Sequence, residues 1–258
     1  MAQQNIYDND KFFESFKGLR ADEINFNDLI ETPILLGMMP DLKGKRVLDV
    51  GCGMGQHAKQ YSDMGALSVL GTDISEKMLG FARENNSADN IEYMRLPFED
   101  LEKLDGQFDV VTSSLAFDYA EDFCDVLKKI NALMVPGGKL VFSTSHPIST
   151  AYDGVYDRYT RTEEGKRLYA NLHNYNIEGL RKFRWCVDDY EVYHRRFSTL
   201  INNIVSAGFI IEECQESNLP EETIEKYPDK FGGLYHHPDF IFFRCGKHPA
   251  YVFKRTAC

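Results

Sequence analysis

Residues 46–56 read RVLDVGCGMGQ: a short apolar run with an acid near its end, then three glycines in five positions, Gly51, Gly53 and Gly55. So short an apolar run suits a buried strand. Glycines directly behind it let the chain turn sharply into a helix while leaving the backbone open to close approach. That combination belongs to the strand–loop–helix unit of an α/β fold. The third glycine falls one residue too early for the dinucleotide fingerprint G-x-G-x-x-G, where Gln56 stands instead. Asp49 is a second peculiarity, since it precedes the glycines.

Strand-like and helix-like segments alternate from Arg46 onward. RVLDVG predicts the first strand and GQHAKQYSDMG a helix stopped at Gly65. LSVLGTD predicts a second strand, followed by SEKMLGFARENN, a helix with Ser75 as N-cap. IEYMRL and FDVVTSSL predict strands three and four. The helix FCDVLKKINALM then leads through the turn VPGG to strand five, KLVFSTS. This order argues for a parallel, doubly wound sheet. Residues 148–193 break the pattern, rich in Tyr, Arg and Asn and without a long apolar run, and read as an inserted cap. The helix HRRFSTLINNIVSAG and the strands FIIEECQES and DFIFFRCGK resume the core. The N-terminal stretch, residues 1–40, carries aromatics at 7, 12, 13 and 16 that suit an amphipathic helix laid over the rest. The 258 residues read as a single domain.

Net charge is −11 and Lys and Arg form no stripe, which speaks against nucleic acid as a partner. The start MAQQNIYDND is no signal peptide, and no window reaches the ~18 apolar residues of a membrane span. Six cysteines are scattered without a C-x-x-C pair, suggesting neither a zinc site nor a disulfide framework and fitting a reducing cytoplasm.

The acids narrow the ligand. A helix N-terminus behind the glycines welcomes an anionic group, carboxylate as well as phosphate, whereas Asp49 at the end of its strand attracts a cation. Asp73, closing strand two, can accept both hydroxyl protons of a ribose. A ribose and an amino acid in one ligand point to S-adenosylmethionine. VLDVGCGMG followed by GTDIS resembles the first two motifs of the class I S-adenosylmethionine-dependent methyltransferases, of the type that acts on small molecules, and LMVPGGKLVFS falls in register with them. The resemblance implies a Rossmann-like, seven-stranded, mostly parallel sheet with helices on both faces. The cap would follow strand five, and the last strand would lie antiparallel beside it. It also implies that Asp49 lies under the methionine amine, directly or through water, that Gly51 and Gly53 face the cofactor, and that Ile74 lies against the adenine beside Asp73. Phe98 and Glu99 of LPFEDL occupy the adenine motif by position. Ser114 and Leu115 match positions whose backbone meets the methionine part, and Tyr7 stands where family members fold a segment over the cofactor.

Methyl transfer from a sulfonium is an in-line displacement of an activated group, so positioning can supply much of the acceleration, with S-adenosylhomocysteine as product. His146, after strand five, is the candidate base or acceptor-orienting residue; Tyr119, Trp185 and His194 are candidates to meet a small-molecule acceptor. Asp118 reads as the cap of the helix that follows strand four. No metal is called for. Two other readings share the fold: a nicotinamide-dependent oxidoreductase, against which the glycine spacing and Asp49 argue, and a non-catalytic S-adenosylmethionine-binding protein. Replacing Asp73 by alanine is expected to weaken cofactor binding by about 1.5–3 kcal/mol, roughly tenfold to 150-fold, by calorimetric titration. Unchanged affinity would remove Asp73 from the site.

Overall fold

Along the first strand, Val47, Leu48 and Val50 are fully buried, and Asp49 among them is 1% exposed. A strand turns successive side chains to opposite faces, so Leu48 and Val50 join one core while Val47 and Asp49 face the other. This is a central strand covered on both sides. The computed structural model, which describes residues 5–152, 157–183 and 190–248, builds the remainder around it.

The chain begins with a 3-10 turn at Ile6–Asp8 and helix α1 (Asp10–Ala21), whose first turn is capped by the Asn9 side chain accepting from Phe12 N (3.1 Å). A π-helical turn, Asn27–Glu31, runs into α2 (Thr32–Gly37). The alternating core follows: β1 (Arg46–Val50), α3 (Gln56–Asp63), β2 (Ser68–Asp73), α4 (Glu76–Asn85), β3 (Ile91–Arg95), a 3-10 stretch at Phe98–Lys103, β4 (Phe108–Ser114), α5 (Phe123–Leu133) and β5 (Met134–Ser145). These five strands pair parallel. The short helix α6 (Pro147–Thr150) opens the cap, which contributes two antiparallel pairs, β6 (Tyr159–Arg161) with β7 (Arg167–Ala170) and β8 (Gly179–Phe183) with β9 (Tyr190–His194). Helix α7 (Phe197–Ser206) returns to the core, and β10 (Phe209–Glu216) and β11 (Phe240–Lys247) complete a seven-stranded sheet of order β10-β11-β5-β4-β1-β2-β3. As expected, β11 lies antiparallel against β5.

Residues from α5 and α7, including Leu127, Ile130, Leu200 and Ile204, pack on the face of Leu48 and Val50. Ala58 and Tyr61 of α3 and Leu79 and Ala82 of α4 cover the face of Val47. Because β2 lies on one side of β1 and β4 on the other, the connections diverge between β1 and β4. That divergence opens a crevice at the carboxyl ends of these strands, where ligands of α/β sheets bind.

Four local expectations are corrected. Asp118 does not cap α5; Asp122 does, accepting from Asp125 N (2.9 Å). Asp118 instead ties the loop after β4 to β5 by accepting from Thr144 Oγ1, Ser145 N and Ser145 Oγ, which offer a buried carboxylate three donors. His194 closes β9 and does not open the helix, because the β8–β9 pairing carries the chain extended up to that residue. The VPGG stretch lies within β5, beside an irregularity in the β4 pairing between Phe108 and Val110. Cys124 is disulfide-bonded, a link that scattered spacing cannot signal. Among the described residues no helix is long and apolar enough to cross a membrane, and no group of three or more His, Cys, Asp or Glu side chains could hold a metal ion.

Two glycines of the loop are needed for different reasons. A Cβ on Gly51 (φ +72°) would sit 2.4 Å from Ala116 Cβ, whereas one on Gly53 (φ +53°) would enter open space. The sequence attributes both to ligand approach; at Gly51 the protein itself already forbids a side chain. Gly51→Ala should therefore lose more folding stability in urea than Gly53→Ala, for which left-handed strain of about 1–2 kcal/mol is the only internal cost. Equal losses would contradict this.

Candidate active site

The crevice gathers three acids. Asp49 ends up there because the strand period that buries Val47 aims it at α3, and its Oδ2 is buried without a hydrogen-bond partner among the described residues. Burial, then the charges of Asp73 and Glu31, push its carboxyl up to about 8. Asp73, half-buried at the end of β2, is also raised by burial. Its Oδ2 accepts from Gly53 N (2.9 Å) and its Oδ1 from Ser75 N (2.8 Å), stitching the glycine loop to the start of α4. Each oxygen keeps lone-pair capacity for a further donor. Ile74 lies next to it, its carbonyl held by Arg95 Nε (3.0 Å).

Glu31 is the third acid, fully buried although it comes from the N-terminal arm. Its signal in the sequence is faint: one acid among Leu29, Ile30, Ile34 and Leu35. At the end of β4, Ser114 donates to Glu31 (2.8 Å), and Leu115 holds a left-handed backbone (φ +49°) uncommon for a branched residue. On the far side of the crevice, Phe98 packs edge-on to Phe117 (6.5 Å between centroids) and Glu99 is raised by burial.

The N-terminal turn is fastened across this edge. Asp8 Oδ1 accepts from Ser75 Oγ (2.6 Å) and Lys77 N (3.2 Å), two residues past Asp73 and beyond. Tyr7 and Tyr119 hydroxyls lie 2.7 Å apart, as do those of Tyr119 and Tyr190. This hydroxyl chain joins the N-terminal arm, the turn after β4 and the first residue of β9, with Tyr119 edge-on to both neighbours. Burial holds the Tyr119 phenol well above its ordinary value. Asp8 and Tyr190 carry no motif that the sequence could display; they act through contacts between distant segments.

The histidines are differently placed. His146 is N-cap of α6, its Nδ1 accepting from Ile148 N (3.1 Å), which leaves Nε2 to carry the proton and donate to Glu216 Oε1 (3.0 Å). Burial lowers its proton affinity despite Glu216. His194 is fully buried; Nε2 donates to the Tyr175 carbonyl (2.9 Å) and Nδ1 accepts from Thr150 Oγ1 (2.8 Å). Both rings spend both nitrogens within the protein. Trp185 lies outside the described residues.

The donor set fits one kind of ligand. The buried Oδ2 of Asp49, without a partner among the described residues, asks for a cation, Asp73 for hydroxyl donors, and open space at Gly53 for close backbone approach; the ammonium and ribose of S-adenosylmethionine meet all three.

A family model described as a methyltransferase domain matches residues 48–142. A Haemophilus influenzae protein, named only as an uncharacterized protein, is 37% identical over 249 residues, 94% of this chain and 96% of its own. A demethylmenaquinone methyltransferase of Lactococcus lactis is 32% identical over 189 residues, 69% of this chain and 71% of its own. The solved S-adenosylmethionine-dependent methyltransferase from Mesorhizobium loti is 34% identical, with a TM-score of 0.74 and coverage of 84% of this chain and 97% of that one.

The raised Asp49 carboxyl has a thermodynamic consequence. Between the ordinary value of 3.8 and about 8, the folded chain keeps a proton that the unfolded chain releases, so stability falls as pH rises through that window. Asp49→Asn abolishes this slope. The stability of ligand-free Asp49→Asn relative to wild type should grow by more than about 1 kcal/mol from pH 5 to pH 8 in urea denaturation. A margin independent of pH would mean that folding does not raise the Asp49 carboxyl.

Proposed function

The chain belongs to the S-adenosylmethionine-dependent methyltransferase family, and we propose that it delivers the methyl group to a small-molecule acceptor beneath its cap. The observation that carries the cofactor assignment is Asp49 at the crevice between β1 and β4, its buried Oδ2 without a hydrogen-bond partner among the described residues. When bound, S-adenosylmethionine supplies a methyl group on a sulfonium, a leaving group that needs no acid.

What this chain contributes is placement. Asp49 receives the ammonium, Asp73 the ribose hydroxyls, and Gly51 and Gly53 let the loop lie against the ligand. Ile74, Phe98 and Glu99 border the adenine, and the backbone of Ser114 and Leu115 meets the methionine part. Tyr7, carried by the arm that Asp8 fastens, closes over the cofactor and excludes water. Tyr119 faces the acceptor. His146 and His194 have their nitrogens engaged, so we assign them to shaping the acceptor side and place no proton on either. Methyl transfer then rests on alignment, which can supply several kcal/mol of barrier lowering by itself.

A small acceptor is favoured by the net charge of −11, which repels a phosphate backbone, and by the cap pairs after β5. The Lactococcus relative is named for action on demethylmenaquinone, itself a small molecule. The purified chain incubated with methyl-labelled S-adenosylmethionine and a cell extract, followed by ultrafiltration and chromatography, should yield a labelled small molecule distinct from S-adenosylmethionine that is missing when the chain is omitted. Label confined to protein or nucleic acid would overturn the reading.

A further inference from the structure

Glu31 lies at the end of the π-helical turn, its side chain wholly removed from water. A buried carboxylate persists where fixed donors replace its hydration. Here Oε1 accepts from both Ser114 Oγ (2.8 Å) and Ser143 Oγ (2.7 Å), while Oε2 faces Thr32 Oγ1 (3.4 Å) and His57 Nε2 (3.5 Å). Burial lowers the proton affinity of His57.

The serines are the informative partners. A hydroxyl has one proton, and Ser143 spends it on Glu31; its lone pair then accepts from Leu115 N (3.1 Å). Leu115 N also reaches the Ser143 carbonyl (3.2 Å). Leu115 is one of two non-glycine residues with positive φ among those described, a strained conformation that lasts only where the surroundings enforce it. Glu31 thus grips Ser114, the last residue of β4, directly, and Leu115 just after it through Ser143.

We propose that Glu31 is a positioning residue for the cofactor: through Ser114 and Ser143 it locks the Ser114–Leu115 turn in the shape that receives the amino-acid end of S-adenosylmethionine. This rests on the reading that the turn meets that end. The acceptor oxygen of Glu31 is what the lock requires; its charge acts elsewhere, opposing ionisation of Asp49 and favouring protonated His57.

Three variants and three ligands separate this role from a merely structural one. Glu31→Ala removes the acceptor, Glu31→Gln keeps a carbonyl oxygen for both serines, and Ser143→Ala removes a single hydroxyl and serves if Glu31→Ala fails to fold. Each is titrated with S-adenosylmethionine, S-adenosylhomocysteine and 5′-methylthioadenosine, which lacks the amino-acid end. Glu31→Ala and Ser143→Ala should weaken the first two ligands by about tenfold or more while methylthioadenosine stays within about twofold, and Glu31→Gln should stay within about threefold of wild type throughout. Wild-type affinity in Ser143→Ala would overturn the proposal, as would an equal loss of all three ligands, or a Glu31→Gln variant as weak as Glu31→Ala. A wild-type chain that binds methylthioadenosine as tightly as S-adenosylhomocysteine would overturn the placement of the turn, and the proposal with it, while leaving the cofactor assignment intact.

Discussion

A carboxylate buried at the carboxyl end of a central strand is the constraint around which this site is arranged. Asp49 cannot leave the interior without reversing the alternation that buries Val47, Leu48 and Val50, so the sheet forces it inside. Once inside, it has Asp73 and Glu31 as electrostatic neighbours and no hydrogen-bond partner for Oδ2 among the described residues. A site built for stability alone would pair it or replace it. In the function proposed above a cationic ligand relieves that penalty, so part of the ligand's binding energy is stored beforehand as instability of the free fold.

The remaining parts organise the chain around that point. Asp73 holds the glycine loop and the start of α4 together through Gly53 and Ser75, which makes it a structural brace in addition to its proposed role as ribose acceptor. Its replacement therefore disturbs the loop along with the ligand. Asp8 fastens the N-terminal turn just beyond this brace, and the Tyr7–Tyr119–Tyr190 hydroxyls carry the connection to the cap. The crevice is consequently lined from four regions: the arm, the sheet edge, the turn after β4 and the cap. Directional hydrogen bonds, added to apolar contact, set their relative placement.

Much of the fold is legible from local pattern. The strands, the switch from period two to helical periodicity, and the Ser75 cap, which accepts from Met78 N (3.1 Å), depend on residues within a turn of one another. The glycine loop and its flanking acids are legible for the same reason. Reading by local pattern misleads at Asp118, where a plausible cap is claimed by β5 instead, and at Gly51, where the close neighbour turns out to be Ala116. It also overstates His146 and His194: a histidine near a sheet edge looks available until the partners of both nitrogens are known.

The amino-acid sequence by itself determined the α/β class, the sites of strand and helix, and the acids and glycines gathered at the crevice, because each follows from steric and hydrophobic rules acting over a few residues. Only the tertiary structure decided which polar groups would meet. Glu31 and Ser143 lie 112 residues apart, and Tyr7 and Tyr119 also 112, so no spacing rule links them. The Glu31–Ser143 bond forms because the packed sheet leaves a buried carboxylate and a strained turn that nearby donors can satisfy, and the cost of leaving either unsatisfied selects the arm that reaches them.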